Sequence, residues 1–96
     1  MSLSAKQRRF TWMIHLLVAY AYSHGVELTY GDAYATSGHC INSKHYQRLA
    51  VDFNLFKNGE YMTKTEDHVK LGEYWESLGG TWGGRFLGED GNHYEY

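Results

Sequence analysis

Proline is absent from this chain of 96 residues, and cysteine occurs once. A lone Cys40 can form no intramolecular disulfide and supplies no thiolate cluster, so any metal site must be built from His, Asp and Glu. Positive charge is not in excess either. The formal charge is −2, and the basic residues are scattered apart from Lys6, Arg8 and Arg9, which argues against nucleic acid as the main partner. Long apolar runs are missing as well. The stretch from Phe10 to Tyr22 is too short to span a bilayer as a helix, and His15 interrupts it, so no stable membrane insertion is expected. Internal repeats and low-complexity tracts are also lacking.

What is there fits one small globular domain over residues 1–96. Hydrophobic residues make up 43% and charged residues 21%, with aromatics high at 17%. A core this small is modestly stabilised by burial, so a bound metal or partner would help it. The N-terminal "KQRRFTWMIHLLVAYAYSHG" resembles a secretory signal, with a basic start, an apolar middle and Ala19-Tyr20-Ala21. Phe10, Met13, Leu17 and Ala21 nevertheless fall at helical spacing, and removing them would leave too little chain for a core. The segment is read as a first helix, with Gly25 at its C-terminal end.

The coarse outline follows from periodicity. "VELTY" alternates as a half-buried strand, and "GDAYATSGHCINSK" reads as a loop. "LAVDFNLF" alternates again, with Val51, Phe53 and Leu55 on one face and Ala50, Asp52 and Asn54 on the other. Asn58-Gly59 marks a turn. "TKTEDHVKLGEYWESLGG" predicts a second helix capped by Thr63 or Thr65, ended by Gly79, with Leu71, Trp75 and Leu78 as its apolar stripe. A glycine-rich segment then closes in a short strand on which His93 and Glu95 share a face. Trp75 and Trp82 are assigned to the core. The fold class is α+β, two main helices against a small antiparallel sheet.

One spacing does not fit this outline. His45 and Asp52 lie seven positions apart, which is about 23 Å along a straight strand at ~3.3 Å per residue. A helix would still separate them by about 10.5 Å. To share one ion, the chain must fold back between Tyr46 and Leu49, with a new strand starting near Ala50. A third donor is available at His93, with the carboxylate of Asp90 three residues before it. Two imidazoles and one carboxylate leave an open fourth position on zinc, which is the ligand set of catalytic rather than structural sites. A neighbouring carboxylate such as Asp90 can then move the proton of an activated water, although Glu89 and Glu95 are nearby. His15, His24 and His68 are read as surface or hydrogen-bonded residues.

Here the residues carry a resemblance. "SKHYQRLAVD" is similar to the S-x-H-x-x-G-x-A-x-D signature of the D-alanyl-D-alanine carboxypeptidase group of zinc peptidases. That group includes the VanX and VanY enzymes and, as nearest in kind, the phage L-alanyl-D-glutamate endopeptidases. "WGGRF", followed by "DGNHYE", resembles the group's closing W-G-G and (D/E)-x-x-H. The resemblance implies a hedgehog/DD-peptidase-like α+β fold, zinc held by His45, Asp52 and His93, and Asp90 as general base. It also implies a peptidoglycan stem peptide as substrate, cleaved as by an endolysin waiting in the bacterial cytoplasm. Two departures stand out. The signature glycine is Arg48, so the required turn must form without glycine's freedom. The arginine that many members carry before the first zinc histidine is also missing, the corresponding "DAYAT" offering Ala35. Arg48 or Arg85 is therefore assigned the positive charge at the oxyanion. Ser43 is expected to fix the loop by a local hydrogen bond and, with His39, to face substrate. The rival reading is a non-enzymatic zinc module of the same fold, whose open site binds a partner. Which bond is cut, and the oligomeric state, are not encoded in these motifs.

Overall fold

The computed structural model describes residues 1–34 and 43–96. The loop positions Ala35, His39 and Cys40 lie outside the described residues. Helix α1 spans Leu3–Ser23, and Ser2 caps it by accepting the Ala5 N–H at 3.1 Å. Its buried face is Phe10, Met13, Ile14, Leu17 and Ala21, the helical spacing read from the sequence with Ile14 added. The helix ends at His24, and Gly25 follows in a left-handed conformation (φ 75°) that turns the chain into β1, Val26–Tyr30.

Strand β2, Ala50–Lys57, is the centre of an antiparallel sheet. One edge takes β1, with Val26 opposite Lys57 and Tyr30 opposite Phe53. Two short strands share the other edge. Strand β3, Glu60–Met62, pairs with residues 55–57, and β5, His93–Glu95, pairs with residues 50–52. Strand β4, Thr81–Trp82, lies outside β5. The β2–β3 hairpin closes in two residues, Asn58 and Gly59, both at positive φ, as a type I′ turn requires. Tyr30 departs from the alternation read in "VELTY". It is 63% exposed, at the last position of a strand on the sheet's edge.

The second helix is shorter than its sequence suggests. Residues Thr65–His68 form a 3-10 turn, and only Val69–Ser77 form α2. Neither Thr63 nor Thr65 is the cap. The Asp67 carboxylate accepts the Lys64 N–H at 2.9 Å while the Asp67 N–H donates to the Lys64 carbonyl at 3.0 Å. This reciprocal pair satisfies the first turn and tightens it. Gly79, at φ 98°, ends the helix as expected.

The core lies between the two helices and one face of the sheet. Val51, Phe53 and Leu55 of β2 meet Tyr94 of β5, Leu71 and Trp75 of α2, and the buried face of α1. Phe10 and Trp75 meet edge to face at 5.7 Å between ring centroids, and Trp75 meets Tyr94 the same way at 6.1 Å. Both buried indoles place their N–H on a backbone carbonyl. Trp75 donates to Glu95 at 2.9 Å, and Trp82 donates to Gly91 at 2.8 Å. Each bond ties a core ring to the segment around His93. The period of two in β2 then sends Asp52 to the face away from this core.

Candidate metal centre

The fold-back demanded by the spacing of His45 and Asp52 is present. Residues Lys44–Gln47 form a single 3-10 turn, started by Ser43, whose Oγ accepts the His45 N–H at 3.2 Å. Arg48 ends the turn in the left-handed region at φ 59° and ψ 37°, and β2 begins two residues later. The position where the signature has glycine thus adopts a glycine's conformation with an arginine in it. Reversing direction there swings His45 back over the start of β2.

Asp52 Oδ1 lies 3.1 Å from His45 Nε2 and 3.1 Å from His93 Nδ1. The third residue arrives by strand pairing, since Asp52 and His93 are direct partners across β2 and β5. The two imidazole rings are 5.0 Å apart between centroids and nearly perpendicular. Donor atoms of His45, Asp52 and His93 all lie within 4.8 Å of one another. Bond lengths of 2.0–2.2 Å at tetrahedral angles would set donors about 3.3–3.6 Å apart; the two 3.1 Å spacings to Asp52 lie close to that, and two nitrogens with one carboxylate oxygen are a donor set that suits zinc. His45 and His93 are buried, and Asp52 is partly open to solvent.

His93 carries a further contact. Its Nε2 lies 2.8 Å from Glu95 Oε1, the residue two positions on along the same face of β5. Burial pushes the His93 imidazole down, but hydrogen bonds to Asp52 and Glu95, with their charges, outweigh it and raise the pKa to about 9. Without metal, the ring is therefore a cation between two carboxylates, and a metal must displace its Nδ1 proton to bind.

Asp90 stands at the rim. Its carboxylate is 3.9 Å from His93 Nδ1 and about half exposed, at 51%. Its backbone is fixed, accepting the His93 N–H at 3.1 Å and donating to the Gly83 carbonyl at 3.0 Å. Gly83 is needed for this approach, because a Cβ there would overlap the Asp90 carbonyl and come within 2.8 Å of the His93 Cβ. The W-G-G stretch thus presses the Asp90–His93 turn against the end of the sheet. Phe86 covers one side of the His93 ring at 5.7 Å. Beyond Asp90 opens a polar cleft lined by Asn54, Tyr61, Lys64, Thr65, His68 and Asn92 among others.

The two arginines are placed differently. Arg85 makes a bidentate pair with Glu76 of α2, at 3.0 and 3.1 Å. Arg48 stacks its guanidinium over Tyr34 at 4.3 Å. His15, His24 and His68 hold hydrogen bonds elsewhere, the first two with carbonyls of α1. His15 Nδ1 lies 2.6 Å from the Trp12 carbonyl, and His24 Nδ1 lies 2.8 Å from that of Tyr20. His68 Nδ1 lies 2.8 Å from the Tyr94 hydroxyl. His39 lies outside the described residues. The sequence offered Glu95 only as a carboxylate near the proposed base; the structure places it on His93 Nε2, a contact foreshadowed by the strand face the two share.

Comparison with known proteins agrees with this geometry. No curated protein matches the chain. A family described as D-alanyl-D-alanine carboxypeptidase matches residues 35–96, a span that holds His45, Asp52, Asp90 and His93. With well over half of its length matched, the chain belongs to the D-alanyl-D-alanine carboxypeptidase family of peptidases.

Proposed function

We propose that the protein is a zinc peptidase that hydrolyses amide bonds in peptidoglycan stem peptides, in the manner of a phage endolysin released from the host cytoplasm. The observation that carries this reading is the meeting of His45, Asp52 and His93 on one face, with Asp90 beside them and a cleft beyond it. His45 Nε2, one Asp52 oxygen and His93 Nδ1 would hold the zinc. Bound there, zinc supplies Lewis acidity toward the scissile carbonyl and lowers the pKa of a water to ~7.

The remaining work falls to the chain's own groups. Asp90, exposed at the rim, takes the proton of the attacking water and delivers it to the amine nitrogen as the C–N bond breaks. Arg85 is engaged by Glu76, so the positive charge facing the developing oxyanion falls to Arg48, at the end of the turn that carries His45. Ser43 contributes by holding that turn. The stem peptide lies along the cleft past Asp90, whose Asn, Thr and Lys side chains suit a polar backbone rich in carboxylates and amides. Either an L-Ala-D-Glu or a D-Ala-D-Ala bond satisfies the same chemistry.

The test is Asp90→Ala in zinc-loaded protein incubated with purified peptidoglycan. The wild type is expected to release new amine groups, and the variant to bind zinc equally while losing at least ~100-fold in rate. A second reading, a non-catalytic zinc module, is favoured by the commitment of Arg85 to Glu76. Zinc-loaded wild type that releases neither amines nor muropeptides would end the enzyme reading.

A further inference from the structure

The contact between Glu95 and His93 has a chemical consequence for the metal site. A neutral imidazole presents one bare nitrogen and one N–H, and only the bare nitrogen can coordinate. In His93 the nitrogen facing Asp52 and His45 is Nδ1, so the proton must sit on Nε2. Nε2 lies 2.8 Å from Glu95 Oε1. The strand pairings leave room for that carboxylate. Glu95 stands opposite Ala50 on β2 and opposite Thr81 on β4, both small residues. Its backbone is pinned by the bond from the Trp75 indole to its carbonyl. The Phe86 ring, 5.7 Å from that of His93, adds a second limit on how the imidazole can turn.

We propose that Glu95 is a positioning residue for the metal centre. Its carboxylate accepts the His93 Nε2–H, which fixes the tautomer and the ring plane that aim Nδ1 at the shared ion and makes that nitrogen a stronger donor. This inference rests on the zinc reading above. Outer-shell partners of this kind are worth 10- to 100-fold in metal affinity. Glu95 acts through its contact with His93.

Zinc affinity is measured by competition with a chromophoric chelator in wild type, Glu95→Ala and Glu95→Gln. The tautomer of His93 is read from imidazole nitrogen shifts in the zinc-loaded proteins. Wild type is expected to carry the His93 proton on Nε2. Glu95→Ala is expected to bind zinc about 10- to 100-fold more weakly. Glu95→Gln, whose amide oxygen can accept the same bond, is expected to recover most of that loss and keep the tautomer. A purely structural role for Glu95 would not move the nitrogen shifts. Wild-type affinity in Glu95→Ala, or a His93 protonated on Nδ1 in the zinc-loaded wild type, overturns the proposal while leaving the zinc reading intact. A wild type that takes up no zinc overturns both. If Glu95→Ala does not fold, the tautomer in wild type and Glu95→Gln decides alone.

Discussion

At the scale of single residues, the left-handed Arg48 is the price of reversing the chain between His45 and Asp52. A non-glycine residue at φ 59° is disfavoured by ~1–2 kcal/mol, and a β-branched one fares worst because its Cβ substituents crowd the carbonyl. Arg48→Val is therefore expected to lower stability by about 1–2 kcal/mol in urea unfolding. Arg48→Gly, by the same argument, should lose little or nothing, the relief of strain offsetting the lost stacking on Tyr34. If both variants unfold at the same urea concentration, the turn at Arg48 is not strained as described. This residue also marks how far the sequence could be read. The seven-residue spacing of His45 and Asp52 excluded a straight strand and a helix alike, so a fold-back was legible. That an arginine would take the left-handed corner was not, because propensity alone argues against it there.

Elements were legible in proportion to their length. The buried face of α1 and the alternation along β2 each run over several periods and read clearly in the sequence. Strands β3 and β4, with three and two residues, are too short to show any period and are fixed by pairing partners instead. The second helix was misread at its start because Asp67 bonds back to Lys64, a local side-chain contact that helical spacing does not reveal. The segment from Gly83 to His93 is the element on which the site most depends. Gly83→Ala would push a methyl group into the Asp90 carbonyl and the His93 Cβ. Overpacking of this sort costs ~1–3 kcal/mol, and the displacement of His93 should weaken zinc binding in parallel. A Gly83→Ala protein with unchanged melting temperature and unchanged zinc affinity would contradict the close packing described.

For the molecule as a whole, two buried histidines set opposite pH limits on the metal-free fold. His93 is raised from 6.5 to about 9, so its stabilising charge is fully present below pH 6.5 and is lost as pH rises through 9. His68 is lowered to about 4, mainly by burial, with Asp67 opposing. The unfolded chain protonates it near 6.5 while the fold resists, so stability falls by ~3 kcal/mol as pH drops from 6.5 to 4. Metal-free protein should therefore be most stable near pH 6.5. Chemical denaturation across pH 4–9 checks this, and His68→Asn and His93→Asn should each flatten one limb. Stability that climbs steadily from pH 6.5 to 9 would contradict the ion pairing of His93. Saturating zinc should offset most of the alkaline loss, adding about 2.7 kcal/mol at a hundredfold excess over Kd.

The most direct measurement is a crystal of zinc-soaked protein with anomalous scattering recorded at the zinc edge. A single peak is expected within ~2.0–2.2 Å of His45 Nε2, an Asp52 oxygen and His93 Nδ1. A peak elsewhere on the surface, or none at saturating zinc, would contradict the account.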